Sequence, residues 1–177
     1  MMARFATIGH SNRAPFVQML RDAGVGVLAD VRSFPRSRSN PAFNIDALPE
    51  TLAPYQIGYA HFPDLGGRRN KQPEVSEDLN AMWRVRSFHN YADYALSEPF
   101  GDALDRLIAL GERATPCLMC AEAVWWRCHR RIVTDYLLAR GHEVENLMAE
   151  GRSEPARMTP GARATDDGRV LYPPEAE

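Results

Sequence analysis

A chain of 177 residues, 45% hydrophobic and 25% charged, has the size and composition of one ordinary globular domain that buries a core without disulfide or metal staples. Its formal net charge of −2 excludes a protein that coats nucleic acid by bulk electrostatics and leaves local basic clusters as anion sites. No run approaches the roughly 18 apolar residues of a membrane span, and the first residues lack the apolar core and cleavage site of a signal peptide, so a cytoplasmic protein with no membrane partner is expected.

Arg4-Phe-Ala-Thr-Ile-Gly9 is a short apolar run ending at glycine and predicts a strand. His10-Ser11-Asn12 then form a polar turn, with Ser11 or Asn12 capping a helix from Pro15 to Ala23 that Gly24 closes. Gly26 to Val31 repeats the strand signal and leads into a loop, Arg32 to Pro41, too rich in Pro and Ser to be regular. A short helix bent near Pro49 is predicted from Asp46 to Tyr55. A third strand from Tyr59 to Phe62 ends in Pro63-Asp64-Leu65-Gly66-Gly67.

After an irregular polar stretch, Tyr91 to Arg113 reads as helical, with an interruption at Pro99. Thr115 to Cys120 is the fourth strand, Val124 to Arg140 a helix stopped by Gly141, and Glu143 to Met148 the fifth strand. From Glu150 onward Gly, Pro and charge dominate. This stretch reads as a surface tail in which Asp166-Asp167-Gly168 turns a small hairpin with Arg169 to Tyr172 as its second arm.

Alternating strands and helices predict a single α/β domain, a core of about 3–149 followed by an extension, with no internal repeat. The expected architecture is a mostly parallel five-stranded sheet with helices on both faces, Rossmann-like or flavodoxin-like.

In such sheets ligands bind beyond the carboxyl ends of the strands. His10, Ser11 and Asn12, Asp30 and Arg32, Asp64 with Gly66 and Gly67, and Cys120 with Glu122 all fall at those ends. Three basic groups sort with them: Arg32, Arg36 and Arg38; Arg68, Arg69 and Lys71; Arg127, Arg130 and Arg131. The planar guanidinium fork suits phosphate oxygens, so a small phosphate-bearing anion is the expected partner, with solvated loop charge as the alternative. Gly66-Gly67 either brings backbone close to a phosphate or merely turns the chain. Asp30 is either the structural partner of Arg32 or a working carboxylate.

The fourth junction carries the most chemistry. Cys120 ends a strand and Glu122 falls near the start of the next predicted helix, where free amides and the dipole favour a thiolate or a carboxylate. Helix spacing of Trp125, Cys128, Ile132 and Tyr136 turns Cys128 partly toward the core, as a small buried hydrophobe. His129 reads either as a buried, bonded histidine or as a proton shuttle. Cys117 and Cys120 spell C-x-x-C, yet period-two alternation sends their thiols to opposite faces of a strand, against a redox or zinc pair. Three cysteines in one short segment are expected to be free thiols. Cys120, Glu122, Cys128 and His129 match no standard zinc spacing, so neither metal nor cofactor is expected.

Thr7-Ile-Gly-His-Ser-Asn12, Asp30-Val-Arg32-Ser-Phe-Pro35, Leu65-Gly66-Gly67 and Cys120-Ala-Glu122 followed by Cys128-His129-Arg130 together resemble the bacterial family catalogued as domain of unknown function 488. The resemblance spans the chain from the first strand to the last helix. It implies an α/β domain with a common site among these residues, and it carries no role for any of them.

Three functions compete. The first is an enzyme acting on a phosphorylated or nucleotide-like small molecule. Its candidate catalytic residues are Cys120, Glu122, Asp30 and His129, and its ligand-binding candidates are His10, Ser11, Asn12, Arg32, Gly66, Gly67, Cys128 and Arg130. The second is a nucleic-acid-binding module using the Arg32 to Arg38 loop with Phe34, Phe43 and Trp125-Trp126. The third is a rhodanese-like or phosphatase-like thiolate enzyme, disfavoured because a phosphatase loop needs arginine where this chain has Trp126.

Overall fold

The computed structural model describes residues 2–10, 15–122 and 124–175. Five strands run parallel: β1 (Arg4–Gly9), β2 (Val27–Asp30), β3 (Gly58–His61), β4 (Pro116–Cys120) and β5 (Glu143–Ala149). A sixth, β6 (Arg152–Pro155), doubles back antiparallel on β5, giving the order β3-β2-β4-β1-β5-β6. The sequence predicts the five and misses the sixth. All four residues of β6 are exposed, so it carries no apolar alternation to betray it, and Gly151 at φ +70° supplies the tight turn that leads into it.

The helices α1 (Pro15–Asp22) and α2 (Leu48–Leu52) cover one face, where Phe16, Leu20, Leu48 and Leu52 pack on Ile8, Leu28, Cys117 and Met119. The helices α3 (Arg86–Tyr94), α4 (Glu98–Gly111) and α5 (Arg130–Ala139) cover the other, burying Tyr91, Phe100, Leu104, Ile132 and Tyr136 against Phe5, Ala29 and Leu118. Within β4, Cys117 joins the first core and Cys120 the second, so the two thiols do point apart as alternation predicts. Among the described residues no helix is long and apolar enough to cross a membrane.

Several boundaries differ from the sequence reading. The predicted helix from Tyr91 to Arg113 is two helices, α3 and α4, parted at Ala95-Leu96-Ser97. Pro99 lies in the first turn of α4, where its missing N–H leaves no bond unmade. The predicted helix from Asp46 is α2 followed by a 3-10 turn over Ala53–Tyr55.

The helix predicted from Val124 begins only at Arg130. Trp125–Arg127 is a 3-10 turn, and Cys128 is extended at φ −118° and ψ 144°. Tertiary contacts hold that segment out of the helix: the Trp125 indole donates to Glu154 at 3.0 Å, and the Arg131 guanidinium lies over its ring.

The expected hairpin forms from β7 (Arg163–Ala164) and β8 (Val170–Leu171). The stretch around it is no surface tail, however. Val170 and Tyr172 are fully buried beside α5, and the Tyr172 hydroxyl donates to Asp135 Oδ2 at 2.7 Å. So short an apolar group inside polar sequence shows no period from which burial is readable.

Candidate active site at the carboxyl ends of β1, β2 and β4

From β1 the chain leads to β2 on one side of the sheet, and from the neighbouring β4 it leads to β5 on the other. Connections leaving in opposite directions put their helices on opposite faces and open a crevice at the strand ends. Here that crevice is a cleft of about 400 Å³.

His10 lies at its base. The residue follows β1, its backbone N–H bonds to the Cys120 carbonyl at 2.9 Å, and its ring stacks on Phe43 at 5.0 Å. Both ring nitrogens are buried and meet no hydrogen-bond partner among the described residues. Burial, reinforced by the Arg32 charge, lowers its pKa and favours the neutral imidazole. Ser11 and Asn12 lie outside the described residues.

Asp30 is wholly buried and accepts from the Arg32 backbone N–H at 3.1 Å, Arg32 Nε at 2.8 Å, Arg32 Nη2 at 2.7 Å and the Tyr59 hydroxyl. Four donors on one carboxylate mark it as the partner that holds Arg32, and it does not line the cleft. Arg32 does line it. Its Nη2 also donates to the Phe43 carbonyl, which leaves Nη1 buried and without a partner among the described residues.

At the fourth strand the sulfurs of Cys120 and Cys128 are joined as a disulfide that closes the 121–127 loop, with Cα atoms 7.3 Å apart. This corrects the expectation of three free thiols; only Cys117 is free, buried on the opposite face. A helix from Val124 would have carried Cys128 two turns away, whereas the 3-10 turn at Trp125–Arg127 and the extended backbone at Cys128 return it to the end of β4. Arg130, 1% exposed, does not line the cleft. It runs beneath the cleft, with Nη1 at 2.7 Å from both Cys120 Sγ and the Glu122 carbonyl and Nε at 3.3 Å from Thr7 Oγ1. Burial pulls its pKa down to about 10, so it remains charged at neutral pH.

Glu122 is exposed on the cleft rim, with its side chain accepting from the Val124 N–H at 3.5 Å. Because α5 begins at Arg130, no helix dipole acts on it, contrary to the sequence expectation. His129 donates from Nε2 to the Val31 carbonyl at 2.7 Å, which turns Nδ1 and its lone pair toward Cys128 Sγ at 3.5 Å. Burial pushes its pKa down to about 4, so the ring is neutral at physiological pH.

Gly66 and Gly67 have a packing reason. A Cβ on Gly66 would lie 2.7 Å from Ser33 Cα, and one on Gly67 would lie 2.5 Å from His129 Nδ1. Gly67 lines the cleft and Gly66 does not.

Of the three basic groups, four arginines line the cleft among the described residues, Arg32, Arg36, Arg68 and Arg127, against one described carboxylate, Glu122. Arg36 pairs with Asp46, while Arg68 lies over the Phe34 ring at 4.8 Å. Arg69 and Arg131 are engaged elsewhere, over Tyr94 and between Trp83 and Trp125. Phe43 is buried, leaving Phe34 as the exposed ring of the Arg32 to Arg38 loop. Ser87 and Phe88 also line the cleft. They arrive on the first turn of α3 with no sequence signal to single them out. Among the described residues no group of three His, Cys, Asp or Glu is placed to hold a metal ion.

A family model described as "Domain of unknown function DUF488" matches residues 13–137, more than half of the chain. No curated protein and no solved structure matches it.

Proposed function

The chain belongs to the DUF488 family, and on that premise we propose that its cleft binds a phosphorylated, nucleotide-like small molecule on which the protein acts as an enzyme. One observation carries the reading: Arg32 Nη1 and both ring nitrogens of His10 are buried at the cleft without partners among the described residues. Buried polar groups left unsatisfied cost about 1–3 kcal/mol each, so a ligand that offers an oxygen to Arg32 and bonds to the neutral His10 recovers what the free protein forgoes.

The rim argues for the sign of that ligand. Arg68 and Arg127 are cleft-lining cations whose charge Glu122 only partly offsets, which favours a phosphate. The Phe34 and Phe88 rings offer flat apolar faces for a base. His10, neutral and with a ring lone pair that meets no donor among the described residues, and Glu122 on the rim are the groups suited to proton transfer.

Titration calorimetry with inorganic phosphate, a nucleoside and its monophosphate tests the reading. The monophosphate should bind most tightly and weaken as salt rises. Arg68→Ala and Arg127→Ala should each lower its affinity about tenfold, close to 1.4 kcal/mol. Equal binding of nucleoside and monophosphate, or none by either, would sink it.

A further inference from the structure

We propose that Cys120 and Cys128 form a reversible dithiol–disulfide couple, with Cys120 as the attacking thiolate and small-molecule disulfides of the glutathione type as its substrate. The inference stands apart from the ligand reading above, since it concerns the sulfurs themselves.

The two cysteines differ in their surroundings in the way such a couple requires. Arg130 places Nη1 at 2.7 Å from Cys120 Sγ, and a buried guanidinium on a sulfur favours its ionised form. Cys120 Sγ also lies 3.5 Å from the Glu122 carbonyl, whereas Cys128 Sγ faces the Nδ1 lone pair of His129 at 3.5 Å and, among the described residues, accepts the backbone N–H of Arg130 at 3.4 Å. In the reduced pair Cys128 is therefore the thiol, donating to His129, and Cys120 the thiolate. Both residues line the cleft, with 2% of Cys120 and 4% of Cys128 exposed, so a small disulfide meets them only from within the cleft. Cys117 shares none of this: it is buried on the far face of β4, and burial raises its pKa far above the usual thiol range.

The exchange balances in two steps. Cys120 thiolate attacks one sulfur of the small disulfide, forming a mixed disulfide and expelling the first thiolate with the electron pair of the broken S–S bond. Cys128 then passes its proton through His129 Nδ1 to that thiolate, and its own sulfur attacks Cys120. The second thiolate departs as the internal disulfide forms. The protein dithiol has lost two electrons and the small disulfide has become one thiol and one thiolate; excess thiol runs the sequence backward.

The test uses the full chain in buffers of oxidised and reduced glutathione, with thiols counted by maleimide labelling and mass spectrometry. In oxidised buffer two of the three thiols should be protected, with the mass lower by a pair of hydrogens, and excess reduced glutathione should restore them. Cys117→Ser should behave identically. Cys128→Ser should stop at a glutathione adduct on Cys120, and Cys120→Ser should form the adduct on Cys128 at least about tenfold more slowly at neutral pH. Arg130→Lys should leave the end state intact and move the pH midpoint of adduct formation, which a purely structural arginine would not do. Three labelled thiols in oxidised buffer, an adduct confined to Cys117, or equal rates in the Cys120→Ser and Cys128→Ser variants would overturn the proposal.

Discussion

The Asp30 carboxylate and the Arg32 guanidinium meet at two points, Nε to Oδ1 at 2.8 Å and Nη2 to Oδ2 at 2.7 Å, with neither residue more than 6% exposed. Removing one member of a buried pair strands the other charge at a cost of about 3–5 kcal/mol. Asp30→Asn and Arg32→Met should each lower stability in urea unfolding by that amount. Their combination should cost clearly less than the sum, because the double variant leaves no stranded charge. Strict additivity would show that the two are not coupled.

Acid should destabilise the fold through its histidines. Burial lowers the pKa of His129 to about 4 and depresses those of His10 and His142. A folded value below the unfolded value of about 6.5 means that the unfolded chain binds more protons between the two, so stability falls as pH drops through that window. At about 1.4 kcal/mol per pH unit, His129 alone accounts for a loss of up to about 3 kcal/mol by pH 4. His129→Gln keeps a donor for the Val31 carbonyl and should flatten the dependence measured between about pH 7 and 4.5. An unchanged slope in that variant would refute the assignment.

The two sheet faces and the five parallel strands were legible in the sequence because each strand is an apolar run ended by a turn. The gathering of His10, Arg32, Gly67, Cys120 and Glu122 followed from that, since strand ends in a parallel sheet share one edge. What the sequence hid was decided by contacts distant along the chain. Trp125 prefers Glu154 and Arg131 to a place in a helix, and that choice folds Cys128 back onto Cys120. Arg130 looked like an anion ligand from its type alone, but its position as the first residue of α5 buries it under the cleft.

Two glycines should respond oppositely to alanine. A Cβ on Gly67 would meet the His129 ring at 2.5 Å, whereas one on Gly101 in α4 meets nothing within 4 Å. Gly67→Ala should lower stability by about 1–3 kcal/mol through the displaced ring, while Gly101→Ala should raise it by about 0.5–1 kcal/mol through helix propensity. Thermal melting decides between this and a common sign.

Reducing the Cys120–Cys128 bond frees a short loop. Loop-closure entropy puts the resulting loss of stability at roughly 2–3 kcal/mol. Urea unfolding with and without reductant should show that difference in the parent chain and none in Cys128→Ser.

Tyr172 should behave as a core residue despite its place in a polar segment. It is fully buried and bonded to Asp135, so Tyr172→Ala should cost about 3–5 kcal/mol. Tyr172→Phe, which keeps the packing, should cost about 1 kcal/mol. A surface tail would give near zero for both.

The place of β1 in the sheet bears on how the molecule is made. Ala6 pairs with Cys117 and Arg4 with Glu143, so β1, which precedes the other strands of this sheet along the chain, is flanked by the fourth and the fifth. Until β4 emerges β1 has nothing to pair with, and the nascent chain offers only the two-stranded fragment of β2 and β3, too small to hold itself together. Folding therefore waits for long-range closure and proceeds slowly, as chains of high contact order do. In the meantime the apolar edge of β1 needs shelter from neighbouring chains. A chain severed between β3 and β4 is left with an unpaired β1 and the two-stranded fragment of β2 and β3, not half a domain.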